Sequence, residues 1–133
     1  KPVFVRMSVT DWVEGGWSID DTVLVSKMLL DRGVDLIDCS SGGILRDAKI
    51  PDGPGYQVEF ARRVRREAGI ATGAVGMITN ARQADEILTS GSADAVFLAR
   101  ELLRSPNWPL HAALDLSVDL VWPNQFARAK PRA

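Results

Sequence analysis

Two short apolar runs, Ala71–Val75 and Asp94–Ala99, restrict the fold of this chain more than any other feature of its sequence. Runs of this length, bounded by turn residues, are typical of buried strands. Gly76 closes the first run, and Arg100 follows the second at once. Main-chain N–H groups can approach an anion closely where the side chain is small, and arginine supplies a planar fork of donors. The two strand ends therefore predict a phosphate-binding site.

A helical pattern links these two predicted strands. It opens at Asn80, places Ala84, Ile87 and Leu88 on one face, and ends at Gly91. Two strands joined by a helix are expected to lie parallel in one sheet. In eight-stranded (β/α) barrels a phosphate site recurs after the last two strands, so this stretch fits the end of such a barrel.

The rest of the chain repeats the same alternation of strand and helix. Val3–Val9 and Val34–Cys39 predict two more strands, and nearly continuous apolar strands between helices favour a parallel sheet covered on both sides. Ser18 is expected to cap the first helix, with Asp21 as its capping-box partner. The predicted helices run from Ser18 to about Arg32, over Tyr56–Ala68, from Asn80 to Gly91, and from a Ser105-Pro106 start to Leu116.

Four strand–helix units in 133 residues predict an α/β fold that is half of a (β/α)8 TIM barrel, because a complete barrel takes about 250 residues. We expect the half-barrel to occupy residues 1–118 and a C-terminal tail to occupy residues 119–133. The chain begins at Lys1 inside a strand pattern, which suggests a piece of something longer. A small doubly wound sheet is the alternative, but the early Gly-x-Gly-x-x-Gly turn of a dinucleotide-binding fold is missing.

Composition argues against several classes of function. The net charge of −1 gives no general attraction for nucleic acid or for an acidic membrane surface, and no apolar run reaches transmembrane length. Cys39 is the only cysteine, which excludes an internal disulfide and fits a cytoplasmic protein. His111 is the only histidine, so we expect neither a metal site nor a Ser–His–Asp triad within this chain.

Two arginines are candidates for ligand binding, and each has a simpler alternative. Arg6 lies among the apolar residues of a predicted strand, where a charge is costly unless it is paired or faces a ligand. It could equally form an ion pair with a strand acid such as Asp38. Arg100 stands at a strand end, where ligands of parallel sheets bind, but a salt bridge with Glu101 is the alternative. Both alternatives remain open from the sequence.

Weaker signals come from the loops after the first two strands. Trp12 and Trp17 flank a Gly-Gly pair, and they either line a pocket for a flat ligand or anchor the loop. Residues 40–43, Ser-Ser-Gly-Gly, could cradle an anion or simply form a turn. Cys39, just before them, is expected to be a buried and inert thiol. The four arginines of the second helix are expected on a solvent-exposed face.

Several segments taken together resemble a known family. They are FVRMS, GVDLIDCSSG, PGYQVEFA, ATGAVGMIT and the strand ending in Ala99-Arg100, which is followed by ELLR. They resemble the old yellow enzyme family, and within it the branch of bacterial FMN-dependent NADPH dehydrogenases, or ene-reductases. The likeness extends over essentially the whole chain, in order and with matching spacing. It implies a (β/α)8 barrel in which this chain supplies strands five to eight.

The resemblance also implies roles for single residues. Arg6 matches an arginine that faces the flavin ring near N1 and O2, and Gly76 matches a main-chain site for the FMN phosphate. Ala99 and Arg100 match a Gly-Arg pair on the same phosphate, with alanine in place of the usual glycine. In the tail, residues 125–128 resemble a Gln-Tyr-x-Arg motif with phenylalanine for tyrosine. Arg128 is therefore expected to reach the active site of a neighbouring subunit in a homo-oligomer.

By this resemblance the intact protein is an FMN-dependent NAD(P)H oxidoreductase that uses NADPH to reduce activated C=C bonds of enone-like small molecules. The family's substrate-binding histidines, proton-donating tyrosine and flavin-tuning cysteine belong to the first half of the barrel, about 200 residues that would precede Lys1. We therefore expect no catalytic residue in this chain, an inactive fragment, and the missing N-terminal half as its partner. The alternatives are a dienoyl-CoA reductase-like relative and a non-catalytic half-barrel scaffold.

Overall fold

One four-stranded parallel sheet organises the structure, a computed structural model that describes residues 1–131. Its strands are β1 (Phe4–Ser8), β2 (Leu36–Ser40), β3 (Ala71–Ala74) and β4 (Ala95–Val96), and they lie in the order of the chain. The predicted α/β class and parallel sheet are confirmed. Sequential order matches an arc of a barrel, because a doubly wound sheet reverses its strand order at a switch point.

The helices of the described residues alternate with these strands. They are α1 (Ile19–Leu30), α2 (Val58–Ala68), α3 (Ala81–Thr89), α4 (Arg100–Arg104) and α5 (Trp108–Asp115), and a short 3₁₀ helix spans Ala127–Ala129. Among residues 1–131, no helix is long and apolar enough to cross a membrane.

The predicted capping box starts α1. The Ser18 hydroxyl accepts from the Asp21 N–H at 3.3 Å, and the Asp21 carboxylate accepts from the Ser18 N–H at 2.9 Å. The Ser18 hydroxyl also donates to Asp21 Oδ2 at 2.6 Å, and this bond, followed by the bond from the Ser18 N–H, lowers the pKa of Asp21. Asn80 caps α3 in the same way by accepting from the Gln83 N–H at 2.9 Å. Both helix starts were predictable because a cap needs only residues that are close in the sequence.

The sheet has one face covered by helices and one face that is open along β1. Ile37, Cys39 and Ala74 are fully buried in the core beneath the helices. On the opposite face, Phe4 is 57% exposed and the Arg6 side chain is 60% exposed. The expectation that both faces are covered is therefore wrong for β1. Right-handed crossovers in a sheet of sequential order place every helix on the same side.

The ring of Phe97 closes part of this open face. It lies across Gly73, so closely that a Cβ atom built on Gly73 would overlap the ring. Gly73 pairs with Asp38 of β2 on one side and with Ala95 of β4 on the other. A glycine in the strand therefore makes room for an aromatic side chain that packs over the sheet.

Three local predictions differ from the structure. Helix α5 begins at Trp108 after Asn107, with Pro109 in its first turn, and not at Ser105-Pro106. Leu88, which is predicted on the buried face of α3, is 40% exposed, because that face is narrower and consists of Ala81, Ala84 and Ile87. The fourth strand has two residues and not six, because β3 is the only strand that pairs with it in the described chain.

The four arginines of α2 lie on the outer face, as predicted, and all four are paired. Arg63 bonds Glu67 on its own helix and Asp20 at the start of α1. These two hydrogen bonds, that with Glu67 first, raise the pKa of Arg63. Arg65 holds Asp94 at 3.0 Å, just before β4. These ion pairs connect α2 to its neighbours and leave the face unsuited to nucleic acid.

The tail folds back on itself. The Lys130 ammonium pairs with the Asp119 carboxylate, and it donates to the Leu120 carbonyl at 3.0 Å. The bond with Lys130 lowers the pKa of Asp119. The last two residues of the predicted tail, 132 and 133, lie outside the described residues.

Burial of Cys39 predicts a pH dependence of stability. Removal from water, with the nearby Asp38 charge as a second cause, raises the pKa of the thiol from 9.0 to about 12. The folded state therefore keeps this proton above pH 9, where the unfolded state loses it. The free energy of unfolding is therefore unaffected by ionisation of Cys39 below pH 9. Between pH 9 and pH 12 it declines by about 1.4 kcal/mol per pH unit because of this thiol. Urea unfolding at about pH 8 and pH 10 measures this decline. The free energy of unfolding should fall less between the two pH values in Cys39→Ala than in the wild type, and an equal fall in both proteins would contradict this.

Candidate functional site

A cavity of about 290 Å³ lies at the carboxyl ends of β3 and β4. Its walls are residues 75–79, which we call the anion turn, together with residues 97–101 and Arg104. The structure thus brings three of the predicted site residues, Gly76, Ala99 and Arg100, into one cavity. Adjacent parallel strands end on the same edge of a sheet, which is where ligands of such sheets bind.

Four of the five carbonyl groups of the anion turn are held by donors from other parts of the protein. Each of these bonds uses a donor that lies outside the turn itself. They join Gln57 Nε2 to Val75 O at 3.0 Å, Gly55 N–H to Gly76 O at 3.0 Å, Gln83 Nε2 to Met77 O at 3.2 Å, and Trp108 Nε1 to Thr79 O at 3.2 Å. The turn is therefore fixed through its oxygens.

The three central N–H groups of the same turn are free, whereas the Thr79 N–H donates to Gln83 Oε1 at 3.1 Å. Those of Gly76, Met77 and Ile78 donate to no protein acceptor among residues 1–131. Gly76 and Met77 have consecutive positive φ angles of 112° and 50°. Successive free N–H groups in a turn form a concave site for anions. With four of its five carbonyls engaged and its central N–H groups available, the turn is suited to a negatively charged group.

Only glycine fits at the centre of this turn. A Cβ atom on Gly76 would lie 2.5 Å from Gln57 Nε2 and 2.9 Å from Tyr56 Cε1. The φ angle of 112° is also outside the range that other residues adopt readily. Gly76 is therefore required both by its conformation and by the close approach of Tyr56 and Gln57.

The opposite wall of the cavity carries the cationic group. The N–H groups of Leu98 and Ala99 also have no protein acceptor within the described chain. Glu101 accepts from Arg104 at 2.6 Å, so the salt bridge suggested between Arg100 and Glu101 is not formed. Arg100 makes no ion pair with any described residue. Its guanidinium is available to an anion in the cavity.

Arg6 lies at the other edge of the sheet and forms the ion pair with Asp38 that the sequence suggested as one alternative. It pairs in register with Asp38, and its Nε donates to Asp38 Oδ2 at 2.5 Å. The Asp38 side chain is only 9% exposed, and its Oδ1 is buried without a partner in the described residues. Because the bond uses Nε, the two terminal nitrogens of Arg6 remain available on the open face of the sheet.

The two tryptophans after β1 anchor their loop. The Trp17 indole N–H donates to Thr22 Oγ1 at 2.7 Å, which fixes the loop to α1. Trp12 packs edge-on against Phe60 of α2, with ring centroids 5.3 Å apart. Both rings are engaged with the protein, so the anchoring interpretation explains them.

The other candidate residues lie outside the cavity. Arg128 is exposed in the 3₁₀ helix of the tail, beside a separate surface depression lined by residues 127, 128, 130 and 131. His111 is exposed on α5. No group of metal-binding side chains is assembled within residues 1–131. Cys39 is buried, and its raised pKa keeps the thiol protonated at neutral pH.

Sequence reasoning missed Gln57, which is 2% exposed and contacts the centre of the anion turn. A signal for it was present in the helix that follows. Gln57 continues the buried stripe of Ala61, Val64 and Ala68 at helical spacing. A polar residue on such a stripe is costly to bury unless it is hydrogen-bonded, so it marks a specific contact.

The residues present fit a phosphate monoester. Free N–H groups from two neighbouring strand ends, an unpaired arginine and a glycine that leaves no room for a side chain surround one cavity. Main-chain N–H groups and arginine are the donors that phosphate oxygens prefer. The phosphate of a mononucleotide such as FMN carries this charge and these acceptors.

Known proteins similar to this chain agree with this description. Residues 1–118 match the model of the NADH:flavin oxidoreductase / NADH oxidase family. Proteins named NADPH dehydrogenase are 51% identical over 128 residues in Halalkalibacterium halodurans, 53% over 127 in a Geobacillus species (strain WCH70), and 51% over 127 in Geobacillus thermodenitrificans. Each match covers 96% of this chain but only 37–38% of the relative.

The match to the family model extends over all four strands and α1 to α5. The resemblance to the old yellow enzyme type of flavoprotein is thereby confirmed. The chain belongs to the NADH:flavin oxidoreductase / NADH oxidase family.

Proposed function

We propose that this chain is the C-terminal half-barrel of an FMN-dependent NAD(P)H oxidoreductase and that it supplies strands five to eight. The half-barrel is residues 1–118, and residues 119–133 form its tail. Family membership, relatives named NADPH dehydrogenase and a sheet of sequential order all support this. The single observation that carries the proposal is the cavity that joins the anion turn to Arg100.

In this proposal the cavity binds the FMN phosphate. The N–H groups of Gly76 and Met77 donate from one wall, and those of Ala99 and Leu98 donate from the other. Arg100 adds a charge-assisted pair, which is stronger than a hydrogen bond between neutral groups. Alanine at position 99 retains its N–H, so this donor is kept where the family usually has glycine.

Arg6 is proposed to face the pyrimidine side of the flavin from the open face of the sheet. Asp38 holds Nε, which leaves the terminal nitrogens of Arg6 to donate to N1 and O2. A cation at this position favours the negatively charged, reduced form of a flavin. FMN held in this way would supply the redox chemistry that couples oxidation of NADPH to reduction of an activated C=C bond.

The rest of the active site is proposed to come from elsewhere in the protein. The chain carries the cofactor-binding part of the barrel and none of the groups that contact an enone substrate, so we expect the isolated fragment to be inactive. Val3 and Phe4 are 49% and 57% exposed beside the unpaired edge of β1, where the N-terminal half would dock. Arg128 is proposed to complete the site of a neighbouring subunit in a cytoplasmic homo-oligomer.

The function is tested with the full-length protein and an Arg6→Ala variant. The wild-type protein should purify with flavin absorbance, which NADPH should bleach in the absence of oxygen. Arg6→Ala should retain its flavin but bleach about tenfold more slowly or worse, because a charge that stabilises the reduced form has been removed. Stopped-flow absorbance measures this rate.

Arg32→Ala is the control for the loss of an exposed arginine, because Arg32 lies at the opposite end of the sheet, between α1 and β2. Its bleaching rate should equal that of the wild type. A wild-type protein without flavin would overturn the proposed function. Normal bleaching by Arg6→Ala would show instead that Arg6 serves only as the ion-pair partner of Asp38.

A further inference from the structure

We propose that Gln57 is a positioning residue that sets the conformation of the anion turn by tying the loop after β2 to the loop after β3. This inference rests on the proposed function, since it assigns the turn to the FMN phosphate. Gln57 itself lies behind the turn and does not line the cavity, so it acts through Val75 and Gly76.

Both ends of the Gln57 amide are used. The Ser41 hydroxyl donates to Oε1 at 2.6 Å, and Nε2 donates to the Val75 carbonyl at 3.0 Å. The Val75 carbonyl can only accept, so the amide nitrogen must face it and the amide oxygen must face Ser41. Ser41 follows β2 and Val75 follows β3, so one side chain connects the carboxyl ends of neighbouring strands.

The same amide presses against the centre of the turn. Nε2 lies 2.5 Å from the position that a Cβ atom on Gly76 would take. The bond from Nε2 holds the Val75 carbonyl away from the cavity, and the Gly55 N–H holds the Gly76 carbonyl in the same way. The N–H groups of Gly76 and Met77 are thereby left as the donors that face an anion.

Packing alone does not explain an amide at this position. Gln57 is 2% exposed and extends the buried stripe formed by Ala61, Val64 and Ala68. An apolar side chain of the same length would fill the space without the cost of burying a polar group. The amide is explained by its two hydrogen bonds, and these bonds act on the loops around the cavity.

The test replaces Gln57 with methionine in the full-length protein. Methionine has nearly the same length and shape but cannot make either bond. FMN affinity should fall about three- to tenfold, the net effect of losing a buried hydrogen bond. Affinity for riboflavin, which lacks the phosphate, should change less than about twofold. The ³¹P resonance of bound FMN should shift or broaden, because the donors around the phosphate are less well fixed.

Thr22→Val is the matched control. Thr22 is also fully buried and hydrogen-bonded, to the Val9 carbonyl at 3.0 Å, but it lies at the start of α1 and lines no part of the cavity. This variant should lower stability and leave the ratio of FMN to riboflavin affinity and the ³¹P resonance as in the wild type. A loss of FMN affinity relative to riboflavin affinity in Gln57→Met but not in Thr22→Val therefore indicates a positioning role, whereas the same result in both variants indicates a merely structural one.

The possible results are distinct. If Gln57→Met binds FMN as the wild type does, or loses FMN and riboflavin equally, the positioning role is overturned while the proposed function stands. If Gln57→Met does not fold, Ser41→Ala decides, because it removes one bond and leaves the amide in place. Ser41→Ala should weaken FMN about two- to fivefold and spare riboflavin; an unchanged ratio overturns the inference. A wild-type protein that binds no FMN instead overturns the proposed function.

Discussion

Replacement of Gly76 by alanine in the full-length protein should weaken FMN binding by about 3 kcal/mol or more, which is at least about 100-fold. The φ angle of 112° is strained for any residue with a side chain, and such strain costs of order 1–3 kcal/mol. The new Cβ would also collide with Gln57 Nε2 at 2.5 Å. Relief of the backbone strain or of the collision with Gln57 moves the anion turn, so its N–H groups no longer converge on the phosphate. Titration of the apo-protein with FMN, followed by flavin fluorescence, measures the loss.

Gly33→Ala separates conformational strain from the effect on the site. Gly33 has a φ angle of 83° and nothing within 4 Å of its Cβ position, and it lies at the end of α1. Its replacement should cost about 1 kcal/mol of stability and leave FMN affinity unchanged. If Gly76→Ala binds FMN as tightly as Gly33→Ala does, the anion turn is not the phosphate site.

Removal of the Arg100 guanidinium should weaken FMN binding by about 1.5–3 kcal/mol, or about 10- to 150-fold, the range for a charge-assisted hydrogen bond. Arg100 lines the cavity and has no ion pair within residues 1–131. Its removal therefore leaves no unpaired acid in the protein, and the loss reports on the ligand alone. Arg100→Lys should recover part of the affinity, because lysine retains the charge but not the planar fork.

The control for Arg100→Ala is Arg82→Ala, which removes the same charge from an exposed position on α3 outside the cavity. It should bind FMN as the wild type does. Isothermal titration at two salt concentrations distinguishes a direct contact from long-range attraction, because long-range attraction is screened. An equal, salt-sensitive loss in both variants would mean that Arg100 contributes only general positive charge.

Most of the secondary structure was predictable because its signals are local. The capping box of Ser18 and Asp21 and the glycine after α2 each involve residues within one helical turn. The strands were located from short apolar runs, but the length of β4 was not. A strand extends only as far as a neighbour pairs with it, and β4 pairs with β3 over two residues before Phe97 turns across the sheet.

The placement of Gly76 and Arg100 at one edge of the sheet was also predictable. Gly76 and Arg100 follow consecutive strands, and parallel strands joined by a helix end on the same edge of a sheet. The sequence therefore brings these two residues to one edge without any knowledge of side-chain packing. The role of Gln57 was not evident, because the order of residues does not show which side chain will contact a turn 18 positions later.

The sequence by itself determined the α/β class, the four strand–helix units and the edge of the sheet at which Gly76 and Arg100 lie. The tertiary structure alone decided which partner each charged or polar group takes. Arg6 meets Asp38 because the register of β1 and β2 places them side by side across 32 residues. Glu101 forms its ion pair with Arg104, one helical turn away, so Arg100 has no ion-pair partner among residues 1–131. Helix and strand signals act over a few residues, whereas these pairings depend on distances that strand register and helix packing set between distant parts of the chain.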